Sequence, residues 1–174
     1  FALQDQGDLD AAIESYNLAL KIQPDYAMAH NNMGNALTLR GSMDIAIASY
    51  NRALKIKPDF AEAHNNLGNA LKERGELDAA IESYSRALEI RPDYAEAFNN
   101  MGIAFRNKGE LDVAIDNFNR ALKLNPDFAE AHNNMGVTLV EQGEFDIAIE
   151  SYKWALALKP DFADAHHNMS VELL

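Results

Sequence analysis

Glycine recurs at Gly7, Gly41, Gly75, Gly109 and Gly143, and the five prolines of the chain, Pro24, Pro58, Pro92, Pro126 and Pro160, keep the same step of 34 residues. A strict period of this length means that one supersecondary unit is copied, and that each copy buries its apolar face on its neighbours because it cannot do so alone. The cores of the units are used up in stacking. Function is therefore expected on a long repeated surface. A chain of 174 residues would otherwise suit one globular domain, but a quasi-linear stack has no single core and the usual length prior does not apply.

Within one period, Ala61 to Tyr94, two amphipathic patterns flank Gly75. The first reads AEAHNNLGNALKER and the second LDAAIESYSRALEI. Both lack proline, are rich in strong helix formers and place apolar residues at helical spacing, which predicts two helices. Asp59 with Glu62 has the spacing of a capping box, repeated at Asp93 with Glu96 and at Asp127 with Glu130. Gly75 is expected to close the first helix, Asp78 to cap the second, and Pro92 to end it.

These residues resemble a known family. His64-x-x-Leu67-Gly68-x-x-Leu71, followed by Ala80-x-x-x-Tyr84, Ala87 and Pro92, is similar to the tetratricopeptide repeat pattern of two antiparallel helices with small residues where they touch. The resemblance covers the whole chain and implies an all-α fold, an α-solenoid of stacked helix pairs wound as a right-handed superhelix. Residues 1–174 then form a single array: a partial repeat at 1–26, full repeats at 27–60, 61–94, 95–128 and 129–162, and the first helix of another at 163–174. His30, His64, His132 and His166 stand where the family usually has a large aromatic, which is present here only as Phe98. Phe1 aligns with Asn35, inside a repeat, and Leu174 also falls inside one. The expectation is a piece of a longer protein whose end helices, including Met169 and Leu173, expose surfaces suited to self-association.

At about 100° per residue, His64, Leu67, Gly68 and Leu71 share the stripe that packs on Ala80, Tyr84 and Ala87. Ala63 and Ala70 point to the next repeat. The remaining face carries Glu62, Asn65, Asn69, Lys72 and Glu73, with Asn66 at its edge. In the family this face lines the concave groove, so stacking turns it into a continuous binding surface. Asparagine pairs recur along it in register: Asn31 and Asn32, Asn65 and Asn66, Asn99 and Asn100, Asn133 and Asn134, then His167 and Asn168, with Asn35 and Asn69 adding a third amide. Asparagine is a mediocre helix former, so propensity does not explain the pairs. Its amide offers both a donor and an acceptor, which is what a peptide backbone also presents. The arrangement resembles the asparagine ladder in the tetratricopeptide region of O-GlcNAc transferase, and that resemblance implies Asn32, Asn66, Asn100, Asn134 and Asn168 as the ladder. The alternative is that asparagine before Leu-Gly is common in the family and was simply duplicated.

The lysine and arginine partners that co-chaperones of this family use to grip a carboxylate are missing. Lys72 and Arg106 are the notable basic groove residues, and Glu62, Glu96, Glu130 and Asp164 occupy one edge, which disfavours an acidic peptide tail. A net charge of -12 argues against a phosphate-backbone binder and so against nucleic acid. The 48% hydrophobic and 24% charged residues argue against disorder. With no cysteine, no membrane-length apolar run and no secretory segment, the expectation is a cytoplasmic chain without membrane contact. The histidines belong to separate repeats with no partner at metal-ligand spacing, and no nucleophile elbow or phosphate-binding loop occurs, so no metal, cofactor or catalysis is expected. Trp154 occupies the outer position held by Arg52, Arg86 and Arg120, for which Glu82 and Asp116 are the expected partners of Arg86 and Arg120. The chain is thus expected to be a non-catalytic scaffold binding an extended peptide or partner segment in the groove. The alternatives are the substrate-recruiting part of a larger enzyme such as a glycosyltransferase, or a self-assembly scaffold.

Overall fold

Alanine-rich amphipathic segments interrupted by one glycine and one proline per period dictate short helices joined by tight turns. A computed structural model of the chain describes the backbone of residues 2–172 and the side chains of residues 8–171. Among these residues every regular element is a helix: α1 (Ala2–Ile22), α2 (Ala27–Leu39), α3 (Met43–Ile56), α4 (Ala61–Glu73), α5 (Leu77–Ile90), α6 (Ala95–Asn107), α7 (Leu111–Leu124), α8 (Ala129–Gln142), α9 (Phe145–Leu158) and α10 (Ala163–Glu172). They form two compact units, residues 1–91 and 92–174. In the first, α2 packs on α3 and α4 on α5; in the second, α6 packs on α7 and α8 on α9.

The turn between the helices of a pair forms as its glycine predicts. Gly75 has φ +85, a left-handed conformation that costs a residue without Cβ least. Its N–H reaches the carbonyl of Lys72 at 3.0 Å and the next N–H, of Glu76, reaches Leu71 at 2.9 Å, closing the end of α4. Gly7 is in phase with these turns but lies inside α1, which runs unbroken to Ile22. Gly41, Gly75, Gly109 and Gly143 are held in the turn by two helices folded back on each other. An interior glycine costs a helix only about 1 kcal/mol relative to alanine.

The helix starts differ from the expected capping boxes. Phe60, Tyr94 and Phe128 occupy the N-cap positions of α4, α6 and α8, and none of these starts has a side-chain cap. The half-buried aromatic ring takes the entry position. The carboxylates are drawn elsewhere, Glu62 to Arg91 and Glu130 to Lys159. Asp78 is likewise inside the first turn of α5, whose N-cap is Glu76. There a carboxylate still complements the helix dipole.

Each pair closes on a glycine facing an aromatic ring. A Cβ on Gly68 would stand 2.5 Å from the ring of Tyr84, and one on Gly102 2.7 Å from that of Phe118, which is the close approach expected from the stripe. Tyr84 and Phe118 are fully buried, as are Ala80, Ala87, Ala114 and Ala121 on the same second helices. Met169, expected on an open end surface, is instead half-buried against the cluster of Leu139, Ala148 and Tyr152. Leu173 lies outside the described residues.

Candidate functional site

Within each unit the first helices of successive repeats touch one another, α2 with α4, α6 with α8 and α8 with α10, while the second helices α3 and α5, or α7 and α9, do not. The first helices therefore form the inner side of each unit. Their asparagine pairs divide into two roles. The first members, Asn31, Asn65, Asn99 and Asn133, are buried, at 5 to 7% exposure, although the helical projection put Asn65 on the open face. The second members, Asn32, Asn66, Asn100, Asn134 and Asn168, are half-buried.

Amides bond across the repeats. Asn66 Nδ2 donates to Asn31 Oδ1 at 3.1 Å, Asn134 Nδ2 to Asn99 Oδ1 at 2.9 Å, and Asn168 Nδ2 to Asn133 Oδ1 at 3.1 Å. Asn31 also donates to Asn32 at 3.3 Å. A buried amide oxygen would cost about 1–3 kcal/mol if left without a donor, and the next repeat supplies that donor. This stacking role escapes a reading of one helix at a time. The signal for it was present, however, as one doubled residue type recurring in register.

The third amides are also engaged. Tyr50 Oη donates to Asn35 Oδ1 at 2.9 Å and Tyr84 Oη to Asn69 Oδ1 at 2.8 Å, which ties the inner face to the rings that close each pair. Burial pushes the Tyr84 phenol well above its ordinary value, and burial likewise raises that of Tyr50, so both hydroxyls remain donors. At the equivalent positions of the second unit stand Ile103 and Val137. Lys72 and Arg106 are half-buried on the same side, and Arg106 Nε lies 3.8 Å from Glu141 Oε1.

The histidines act as staples. His30, His64, His132 and His166 each place Nε2 within 2.9 to 3.1 Å of the carbonyl oxygen of the proline six residues earlier. Because a carbonyl only accepts, Nε2 carries the proton in each. The outer position of the second helix reaches the same place from the other side. Arg120 lies over the ring of Phe98, 5.8 Å from its centroid, and Trp154 stacks on His132 with centroids 6.1 Å apart. The expected partners of these arginines are corrected in part: Arg86 bonds Glu89, while Glu82 still acts on it through its charge, and Arg120 takes the aromatic face of Phe98. A further set of links joins the end of a first helix to the preceding second helix: Arg40 to Asp10 at 3.0 Å, Arg74 to Asp44 at 2.8 Å and Gln142 to Asp112 at 2.7 Å.

Comparison with known proteins follows the same lines. Models of the tetratricopeptide repeat match residues 2–41, 34–75, 68–109, 102–143 and 129–162. The crystal structure of MamA is similar at 29% identity over 92% of this chain and 94% of that one, with a TM-score of 0.79. YrrB, described as a TPR protein with an unusual peptide-binding site, is similar at 25% identity over 97% of this chain and 87% of that one, with a TM-score of 0.76. MamA from Desulfovibrio magneticus RS-1, at 20% identity over 90% of this chain and 89% of that one, has the same fold with a TM-score of 0.80. No curated protein sequence matches the chain. Among the described residues no helix is long and apolar enough to cross a membrane.

Proposed function

The chain belongs to the tetratricopeptide repeat family, and from that premise we propose that it is a non-catalytic scaffold holding an extended peptide, or an extended segment of a partner protein, along the inner faces of its first helices. The observation that carries this reading is the hydrogen bond from the Asn66 amide to that of Asn31 and its counterparts from Asn134 and Asn168. An asparagine amide has two N–H donors and an oxygen with two lone pairs. One N–H is spent on the preceding repeat, which fixes the side chain's direction. The other N–H and the oxygen are left to meet a peptide unit, and a fixed amide loses little freedom on binding. Asn32, Asn35, Asn65, Asn69, Asn99, Asn100 and Asn133 support or extend the rows, with Lys72 and Arg106 beside them.

Peptide binding by YrrB, a neighbour of similar length, is consistent with this use of the fold, as is the likeness of the rows to the asparagine ladder of O-GlcNAc transferase. The acidic balance favours a protein segment over nucleic acid. The test is calorimetric titration of a peptide, first selected from a displayed random library, against the wild type and an Asn66→Ala, Asn134→Ala variant checked for helicity. Affinity is expected to fall by about 0.5–1.5 kcal/mol per lost hydrogen bond. Equal affinities would leave the rows with a stacking role alone.

A further inference from the structure

We propose that the inner face of the second unit carries a side-chain pocket that selects an aliphatic residue next to a basic one in the bound segment. This deepens the peptide-binding reading and rests on it. The pocket is a cleft of about 250 Å³ lined by Val137, Val140 and Glu141 of α8, the buried Tyr152 of α9, and His167, Asn168 and Val171 of α10. Its volume is below the roughly 300–1,000 Å³ of sites for drug-sized ligands, which suits a single side chain. In the first unit the positions of Val137 and Val140 carry Asn35 and Thr38, or Asn69 and Lys72, so the same face there is polar. Val137 and Val140 are half-buried, packed on one side against Leu139, Ala148 and Tyr152, and their remaining aliphatic surface lines the cleft on an otherwise amide-lined face.

Two observations say what covers it. Asn168 belongs to the amide row, bonded to Asn133 at 3.1 Å, so a backbone held by the row passes the mouth of the cleft with alternate side chains directed into it. Glu141 keeps 44% of its side chain exposed, and its contact with Arg106 at 3.8 Å is longer than the roughly 2.7–2.9 Å of a close charge-assisted bond. Its carboxylate therefore retains capacity for a cation from the partner, and the net charge of -12 draws basic segments to this chain.

The experiment selects displayed short random peptides on the wild type and on Val137→Asn. The chain itself supplies the precedent for that variant, since Asn35 and Asn69 accept a tyrosine hydroxyl at this position; circular dichroism confirms that it is folded. The wild-type pool is expected to converge on Val, Ile or Leu beside Lys or Arg. The best peptide should bind Val137→Asn roughly tenfold to a hundredfold more weakly, and replacing its aliphatic residue by alanine should cost far less in the variant than in the wild type. Glu141→Gln should remove the preference for the basic neighbour and leave the aliphatic one. A pool without an aliphatic position, or equal affinity for wild type and Val137→Asn, overturns the pocket while peptide binding stands. No enrichment on the wild type overturns the peptide-binding reading and the pocket with it.

Discussion

One added methyl group tests how tightly a helix pair closes. The ring of Tyr84 is fully buried and its hydroxyl is held by Asn69, so it has no room to withdraw from a Cβ built on Gly68 at 2.5 Å. Gly68→Ala should destabilise the chain by about 1–3 kcal/mol through overpacking, despite the better helix propensity of alanine. Thermal denaturation checks this, and an unchanged midpoint would mean that the ring yields freely. Asn117 presents the opposite case. It is 5% exposed, its Nδ2 bonds the carbonyl of Val113 at 2.8 Å, and its Oδ1 is buried without a donor. The equivalent Ser49, Ser83 and Ser151 satisfy their hydroxyls on the carbonyl four residues earlier and leave no such atom. Asn117→Ser should therefore stabilise by about 1 kcal/mol, offset in part by the smaller volume. A lower urea midpoint for the variant would show that packing by the longer side chain outweighs the orphaned oxygen.

Between elements, the carboxylates at the starts of the first helices serve as tethers. Arg91, just past the end of α5, bonds Glu62 in the first turn of α4, and that hydrogen bond holds the Glu62 carboxyl below its ordinary value of 4.5. A depressed folded value means stability that is present above pH 4.5 and lost as the pH falls through the folded value. Both side chains are more than a third exposed, so solvent screening keeps the effect small. Arg91→Ala should lower the melting temperature slightly at pH 7 and low salt, and the difference from wild type should vanish in strong acid or high salt. A difference that persists at low pH would place the effect in lost packing of the arginine stem.

For each unit as a whole, stability is a sum of the repeats and the interfaces between them. The hydrogen bond from the Asn66 amide to Asn31 is one such interface link. Asn66→Ala leaves the oxygen of the buried Asn31 with a donor missing, so it should cost about 1–3 kcal/mol, where helix propensity alone would predict a small gain. Urea unfolding followed by circular dichroism should show a lower midpoint and a broader transition, since weaker coupling between repeats reduces cooperativity. A shift to higher stability would mean that the amide is idle. What the sequence by itself determined is the architecture: period, helix positions, the turn at Gly75 and the contact of Gly68 with Tyr84 all follow from local rules of glycine, proline and a 3.6-residue repeat. These rules act within one repeat, and the sequence states them directly. Only the tertiary structure decided which asparagines are buried, that Glu62 serves Arg91 instead of capping a helix, that Arg120 and Trp154 reach Phe98 and His132, and that α1 runs through Gly7. Each of these depends on which side chain of a neighbouring helix stands within a few ångströms. Helical spacing fixes the direction of a side chain but not what it will meet.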